Sequence, residues 1–146
     1  MTSPEHSGLT LQVQVADMAK GIAFYTTLFG REPDFLPHKD FAEWRVLTGV
    51  ELWWQVVEVP GEVRPLTTRV RFRVADIDAA RGWLRAELGV PSAPVTTLPG
   101  VVRFTDFADP WGNRLGYYED VVPSDQQPEP GGSVHDDAMF TVENES

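Results

Sequence analysis

An internal repeat is the feature of this chain that most constrains its fold. Residues 11–30 (LQVQVADMAKGIAFYTTLFG) align without a gap with residues 70–89 (VRFRVADIDAARGWLRAELG). Each copy begins with alternating apolar and polar residues, which is typical of a β-strand with one buried face, and then runs through Val-Ala-Asp into a helical pattern. Matching positions such as Asp17 and Asp76 are 59 residues apart (76 − 17). The repeat therefore predicts two copies of one structural unit.

The ends of both predicted helices carry matching signals. Asp17 and Asp76 precede the helical pattern, where an aspartate side chain accepts hydrogen bonds from free N–H groups of the first turn. Gly30 and Gly89 follow the pattern, where glycine readily adopts the left-handed conformation that ends a helix. We expect one helix in each copy between these residues.

Three further strands are predicted after each helix. They lie near residues 34–37, 42–47 and 50–57 in the first copy, and near 93–97, 101–106 and 113–119 in the second. Each copy is thus a βαβββ unit, and one unit of roughly 55 residues buries too little apolar surface to be stable alone. The sequence predicts an α+β fold of two tandem βαβββ modules. The predicted organisation is an N-terminal leader (1–8), a first module (9–60), a second module (67–120) and an acidic flexible tail (121–146).

The charge of the chain is unevenly distributed. There are 12 Lys and Arg and 22 Asp and Glu, a formal net charge of -10. Residues 1–119 hold 15 acids and all 12 bases, so this part has a net charge of only -3, and residues 120–146 hold the remaining seven acids. The net charge of -10 disfavours binding to nucleic acids or to anionic membrane surfaces.

The Pro- and Gly-rich segment 123–133 predicts a linker, and the alternative for the end of the tail is a short docked arm. That arm would contain Ala138, Met139, Phe140 and Val142.

The residue inventory excludes several classes of protein. The chain contains no Cys, which excludes disulfides, zinc-thiolate sites and thiol catalysis. Its N-terminus lacks a signal-peptide pattern, and no segment approaches the roughly 18 consecutive apolar residues of a membrane span. We expect a cytoplasmic protein that does not bind membranes.

The combined motifs resemble those of the vicinal oxygen chelate superfamily. These motifs are the paired βαβββ units, the Val-x-Asp start of each helix, Phe24-Tyr25 followed by Leu28-Phe29-Gly30, and Asp109-Pro110-Trp111-Gly112-Asn113 before the last strand. The superfamily includes glyoxalase I, bleomycin-resistance proteins, fosfomycin-resistance enzymes and extradiol dioxygenases. The resemblance covers about residues 9–120. It implies curled mixed sheets around a cup, with the helices on the outside.

The resemblance also identifies the positions at which metal-binding members hold their ligands. These members use His or Glu on the first, fourth, fifth and eighth strands, and the corresponding residues here are Thr10, Glu51, Arg69 and Gly116. Only Glu51 is a suitable ligand, because Thr binds divalent ions weakly, Gly has no side chain and an arginine has no lone pair to donate. His6, His38 and His135 lie elsewhere in the pattern. We therefore expect neither a metal nor another cofactor.

Strand alternation identifies candidate ligand-binding residues. On the predicted strands, one face is apolar and should cover the helices, whereas the other is polar or aromatic and faces the cup that the resemblance implies. The predicted ligand-binding residues on this second face are Gln12, Gln14, Glu51, Trp53, Arg69, Arg71 and Tyr118.

Other interpretations of these residues remain open. The polar rows also fit the solvated side of an ordinary antiparallel sheet. Arg69, Arg71 or Arg73 near Glu51 would form either a structural ion pair or part of a ligand site. Trp54 and Trp83 are predicted to be core residues, and Gly112 is predicted to adopt a positive φ angle.

The resemblance leaves several functions open. We expect non-catalytic binding or sequestration of a small organic molecule, as in antibiotic resistance of the bleomycin-resistance kind, by a homodimer with no catalytic residue assigned. The alternative is a metal-free lyase, isomerase or dioxygenase-type enzyme, in which an Arg of the fifth strand stabilises an oxyanion and Glu51 moves a proton. A metal-dependent enzyme is disfavoured by the four positions above. A regulatory role has only the acidic tail in its favour.

Overall fold

The structure is a computed structural model that describes residues 2–121 and 141–143. The chain divides into two compact units. The first contains residues 2–67 and Pro110–Asn113, and the second contains Thr68–Asp109, 114–121 and 141–143. Each unit contains one βαβββ sequence of elements, which confirms the predicted α+β fold of two tandem modules.

The first unit contains one mixed four-stranded sheet and one helix. The elements are β1 (Leu9–Val15), α1 (Met18–Phe29), β2 (Phe35–His38), β3 (Phe41–Arg45) and β4 (Leu52–Glu58). The strand order is β1-β4-β3-β2, with β1 parallel to β4 and the other neighbours antiparallel. This arrangement places one apolar face of the sheet against α1.

The core of the first unit lies between α1 and this apolar face. The rings of Trp44 and Trp54 are fully buried, and their centroids lie 6.1 and 5.7 Å from that of Tyr25 on the helix. Gly21 lets the helix approach the sheet, because a Cβ atom at this position would lie 3.1 Å from a methyl group of Val15. Aromatic packing and this close approach fix α1 on the sheet.

The second unit repeats this pattern and adds a strand. Its elements are β5 (Val70–Arg73), α2 (Ile77–Trp83) with a π-helical turn over Leu84–Leu88, β6 (Thr96–Leu98), β7 (Val102–Ala108), β8 (Arg114–Asp120) and β9 (Thr141–Val142). The strand order is β5-β8-β7-β6-β9, with β5 parallel to β8. Neither α1 nor α2, the helices of the described residues, is long and apolar enough to cross a membrane.

The predicted helix ends are confirmed in both units. The carboxylates of Asp17 and Asp76 each accept a hydrogen bond at 3.0 Å, from the amides of Lys20 and Ala79. The glycines that end the two helical segments, Gly30 and Gly89, have left-handed φ angles of 70° and 64°. Gly112 has a φ angle of 88°, as predicted.

One predicted core residue is exposed. Trp54 is fully buried, but the prediction that Trp83 is also a core residue is wrong, because Trp83 is 38% exposed. The buried face of this helix runs instead through Ile77 and Leu84, two turns apart. Trp83 precedes Leu84 by one residue, about 100° around the helix axis, and so points away from the sheet.

The end of the chain pairs with the second unit. β9 is antiparallel to β6, and the Glu143 amide donates a hydrogen bond to the Val95 carbonyl at 2.8 Å. Residues 141–143 are therefore docked rather than free, although the Val142 side chain is 58% exposed and the pairing is through the backbone. Residues 122–140 and 144–146 lie outside the described residues, so the predicted flexible tail and the arm residues 138–140 stay predictions there.

Candidate functional site

One face of the second sheet brings together basic, acidic and aromatic side chains. In the strand register, Gly116 of β8 lies between Arg71 of β5 and Asp106 of β7. Two residues further along β8, Tyr118 lies beside Phe104 of β7. Because alternate residues of a strand point to the same side, these five positions share one face of the sheet.

A cleft of about 440 Å³ opens on this face. Its lining residues are Arg69, Arg71, Val102, Phe104 and Tyr118. This volume falls in the range of small-molecule sites, and the lining combines apolar surface with a few polar groups, which is typical of such sites. Three of the predicted ligand-binding residues thus meet in one cleft, whereas Val102 and Phe104 were missed.

Arg71 is held in place by an ion pair and by an aromatic ring. Its Nε and Nη2 atoms donate to the two carboxylate oxygens of Asp106 at 3.0 and 3.3 Å. The central guanidinium carbon lies 4.0 Å from the ring centroid of Phe104, a cation–π contact. The Arg71 and Asp106 side chains are only 21% and 25% exposed. Such a two-pronged pair fixes the orientation of the guanidinium group.

The packing of this pair requires glycine at position 116. A Cβ atom on Gly116 would lie 2.6 Å from the Thr105 carbonyl oxygen and 2.8 Å from Cγ of Arg71. It would also lie 3.0 Å from a carboxylate oxygen of Asp106. The Arg71 side chain therefore occupies the space into which any side chain at position 116 would project.

The remaining two arginines of this face have weaker partners. Arg69 Nε lies 3.9 Å from Asp106, and Arg73 Nη1 lies 3.4 Å from Asp120. Their side chains are 56% and 60% exposed. The five groups comprise three positive and two negative charges, which leaves one positive charge in excess.

The other predicted ligand-binding residues lie in the first unit. Gln12 donates to the side chain of Gln55 at 3.1 Å. Glu51 immediately precedes β4 and forms an ion pair with Arg45 at 2.8 Å, and it accepts a hydrogen bond from the Trp53 indole at 3.3 Å. Arg45 also lies 4.8 Å from the ring centroid of Trp53. Glu51 therefore has Arg45 as its ion-pair partner, in place of the predicted arginine of the fifth strand.

Gln14 has a structural role in the first unit. Its side-chain oxygen accepts a hydrogen bond from the Arg64 amide at 2.8 Å. Its backbone oxygen accepts one from the side chain of Asn113 at 3.0 Å, and the oxygen of the Asn113 side chain accepts from the Leu66 amide at 2.7 Å. The fully buried Asn113 thus ties the segment after β4 to β1, a role that no pattern in the sequence indicated.

The residues at the four metal-ligand positions do not fit a divalent cation. Position 116 has no room for a side chain, and Arg69 contributes a positive charge. Glu51 is the one suitable ligand among the four, and its carboxylate forms an ion pair with Arg45. Thr10 supplies only a weak neutral ligand. Among residues 2–121 and 141–143, no three His, Asp or Glu side chains are grouped so as to hold a metal ion.

The opposite face of the second sheet is structural. Burial raises the pKa of Tyr117 to about 12. Arg103 donates to both oxygens of Glu143 at 3.0 and 3.1 Å and to Glu119 at 3.2 Å, and it lies 3.3 Å from Asp78. Although burial lowers the pKa of Arg103, the neighbouring carboxylates outweigh that effect and raise it. Arg103 thus links β9 and α2 to the sheet.

One solved structure is similar to this chain in both sequence and fold. It is a glyoxalase/bleomycin resistance protein from Catenulispora acidiphila DSM 44928, with 30% sequence identity and a TM-score of 0.62. The match covers 81% of the present chain and 100% of that chain. The whole of that protein therefore corresponds to most of this one.

Two further structures show the same fold at lower identity. A glyoxalase/bleomycin resistance protein/dioxygenase from Nocardioides is 21% identical with a TM-score of 0.65, and the match covers 92% of this chain and 93% of that chain. The fosfomycin resistance protein FosX from Listeria monocytogenes is 20% identical with a TM-score of 0.63, and the match covers 83% and 97%. Comparisons with protein-family models and with curated proteins gave no match.

Proposed function

The chain belongs to the glyoxalase/bleomycin resistance proteins of the vicinal oxygen chelate superfamily, and we propose that it binds a small organic molecule without transforming it. The proposed site is the cleft of the second unit. The observation that supports this proposal is the Arg71–Asp106 pair, which takes up the space of a metal-ligating side chain at position 116 while leaving an open cleft beside it.

The cleft has the properties of a preformed binding site. Tyr118, Phe104 and Val102 offer apolar contact area, and the ion pair holds the Arg71 guanidinium in a fixed plane. A site that is ordered before binding loses little conformational entropy when its ligand arrives. We therefore expect binding through packing and through a few directed polar contacts.

The same contacts argue against acid–base chemistry at this site. Asp106 is the carboxylate nearest to both Arg69 and Arg71, and each of its oxygens accepts a hydrogen bond from Arg71. A general base must direct a lone pair at the substrate proton. Asp106 directs a lone pair of each oxygen at Arg71 instead, and the five residues that line the cleft include no carboxylate. This arrangement favours a binding role over acid–base catalysis.

The alternative is a metal-free enzyme in which Arg69 stabilises an oxyanion and Glu51 transfers a proton. The exposed guanidinium of Arg69 favours it. Against it, the Glu51 carboxylate is held by Arg45 and Trp53. We rank this alternative second.

We also propose that the protein is a homodimer, as expected from the superfamily. The first unit supports this proposal, because Phe35 and Leu36 of β2 are both 54% exposed. A second copy of the chain is the partner that would cover them.

Three measurements on the purified full chain test the proposed function. Native mass spectrometry and elemental analysis should find less than about 0.1 equivalents of divalent metal, since a stable site requires ligands that these positions lack. NMR titration with 2-naphthoate and 2-naphthamide, as planar probes, should shift amide signals of β5, β7 and β8. The spectra of the probes themselves should stay unchanged over days.

Each result that would contradict the proposed function points to a different explanation. About one equivalent of bound metal per chain would show that the protein is a metalloprotein, because that stoichiometry requires a defined metal site. Shifts confined to other strands would place the site elsewhere. Turnover of a co-purified ligand would support the enzyme alternative, and it should then be abolished by Glu51→Gln but not by the matched variant Glu62→Gln.

A further inference from the structure

We propose that the ligand of this cleft is an anion with a flat aromatic or conjugated body, and that Arg69 binds its acid group. This inference rests on the proposed function and specifies the chemical class of the ligand. It follows from how the charges on this face of the sheet are paired.

The pairing leaves Arg69 as the cation in excess. The Asp106 carboxylate is engaged by Arg71 through two hydrogen bonds of 3.0 and 3.3 Å. Arg69 reaches the same carboxylate only at 3.9 Å, which is beyond hydrogen-bond distance. Arg73 has its own partner in Asp120 at 3.4 Å. One carboxylate thus serves two arginines, and the positive charge of Arg69 is left largely uncompensated.

The position of Arg69 suits the recognition of an incoming acid group. Arg69 directly precedes β5 and lines the cleft, and its side chain is 56% exposed. A guanidinium group carries five N–H donors in a planar fork that matches a carboxylate. The three arginines and two aspartates of this face leave one positive charge in excess, which favours an anion over a cation of the same shape.

The remaining surfaces of the cleft favour a flat body next to the acid group. The Arg71 guanidinium lies over the ring of Phe104, and both residues line the cleft. The guanidinium group therefore presents a planar cation to a ligand. Tyr118, directly across the strand pair from Phe104, adds a second aromatic surface. Planar rings stack on both aromatic and guanidinium surfaces. An aryl or conjugated carboxylate therefore matches the cleft in both charge and shape.

The test compares 2-naphthoate with 2-naphthamide, which share the ring system and differ in charge. Titration calorimetry at low salt uses the full-length wild type, Arg69→Gln, Arg69→Lys and the matched control Arg85→Gln. We expect the acid to bind at least about tenfold more tightly than the amide, the effect of a charge-assisted hydrogen bond. Arg69→Gln should abolish that preference and leave amide binding unchanged. Arg69→Lys should retain part of it, because it keeps the charge but loses the fork.

The outcomes separate this inference from the proposed function. Equal binding of acid and amide would overturn the anion inference and leave the proposed binding function intact. A preference that survives Arg69→Gln, or that is lost equally in Arg85→Gln, would overturn the assignment to Arg69. Absence of binding for both probes would overturn the proposed site itself, and the inference with it.

Discussion

At the scale of single residues, Gly116 determines what the cleft contains. Its missing side chain makes room for Arg71, which in turn holds Asp106. A Cβ atom placed on Gly116 would lie 2.6 Å from the backbone oxygen of Thr105. A backbone oxygen moves less easily than the end of a flexible side chain, so the structure cannot readily make room for a side chain here. The absence of a carboxylate at this position is thus a packing requirement of the present site.

We therefore expect Gly116→Ala to destabilise the protein. Overpacking of a filled interior costs about 1 to 3 kcal/mol, so the urea midpoint should fall by a corresponding amount. Gly82→Ala is the matched control, because a Cβ atom there meets nothing within 4 Å in helix α2. The control should raise the stability by up to about 1 kcal/mol, the difference in helix propensity. Equal effects of the two substitutions would show that position 116 is not tightly packed.

A second residue-scale prediction concerns alkaline pH. Burial raises the pKa of Tyr117 from 10.0 to about 12, so the folded state holds the phenol proton more tightly than the unfolded state does. The corresponding stability is fully present below about pH 10 and is lost as the pH rises through about 12. Tyr117→Phe should remove one late step from the ultraviolet phenolate titration and weaken the loss of stability over that range. A wild-type protein whose three tyrosines all titrate near pH 10 would contradict this prediction.

At the scale of elements, β9 depends on one cluster of charges. Glu143 holds the end of this strand through its amide bond to Val95 and through two hydrogen bonds from Arg103. Glu143→Gln should loosen β9 while leaving the rest of the sheet folded. The Glu143 side chain is 46% exposed, so the expected loss is about 0.5 to 1 kcal/mol, or a roughly two- to fivefold faster exchange of the amide at position 143.

Glu62→Gln provides the control for this measurement, since Glu62 is exposed and in the first unit. It removes the same charge without touching β9. If hydrogen exchange at position 143 is the same in both variants, backbone pairing alone holds the strand.

Most elements were predictable because their signals are local. Strand alternation and the capping residues located both helices and eight strands to within a few residues. The prediction began β6 at residue 93, whereas it begins at Thr96, since Pro94 has no amide to donate to a neighbouring strand. β9 carries no such signal, because two residues that pair through their backbone leave no apolar pattern. It was foreseen only as an alternative.

Only part of the candidate site was predictable, because only some of its strands carry a clear local pattern. On β5 and β8 the polar and apolar faces are distinct, so parity identified Arg69, Arg71 and Tyr118. On β7 both faces mix apolar and charged residues, so parity gave no indication that Phe104 lines the cleft or that Asp106 lies on the same face of the sheet. The partner of Arg71 could be found only from the strand register, which brings Asp106 beside Gly116.

At the scale of the whole molecule, the apolar surface of the first unit bears on assembly. Nine large hydrophobic side chains of the described residues are exposed, and five of them lie in the first unit. These five are Leu9, Phe35, Leu36, Leu47 and Val50. Single exposed apolar residues are ordinary, but adjacent ones at a sheet edge favour association. The closed assembly most common for soluble proteins is a two-fold dimer.

We accordingly expect a dimer in sedimentation at micromolar concentration, and expect the first unit to mediate it. The double variant Phe35→Asp with Leu36→Asp should weaken the dimer by at least about a hundredfold, since two buried apolar side chains and two repelling charges per chain act together at a two-fold interface. Val101→Asp, at a residue 37% exposed in the second unit, is the control and should leave the dimer intact. A wild-type monomer at these concentrations would contradict the dimer. If the dimer resists the double variant but dissociates with Val101→Asp, the interface lies in the second unit. Dimer formation and ligand binding would then use neighbouring strands of the same sheet.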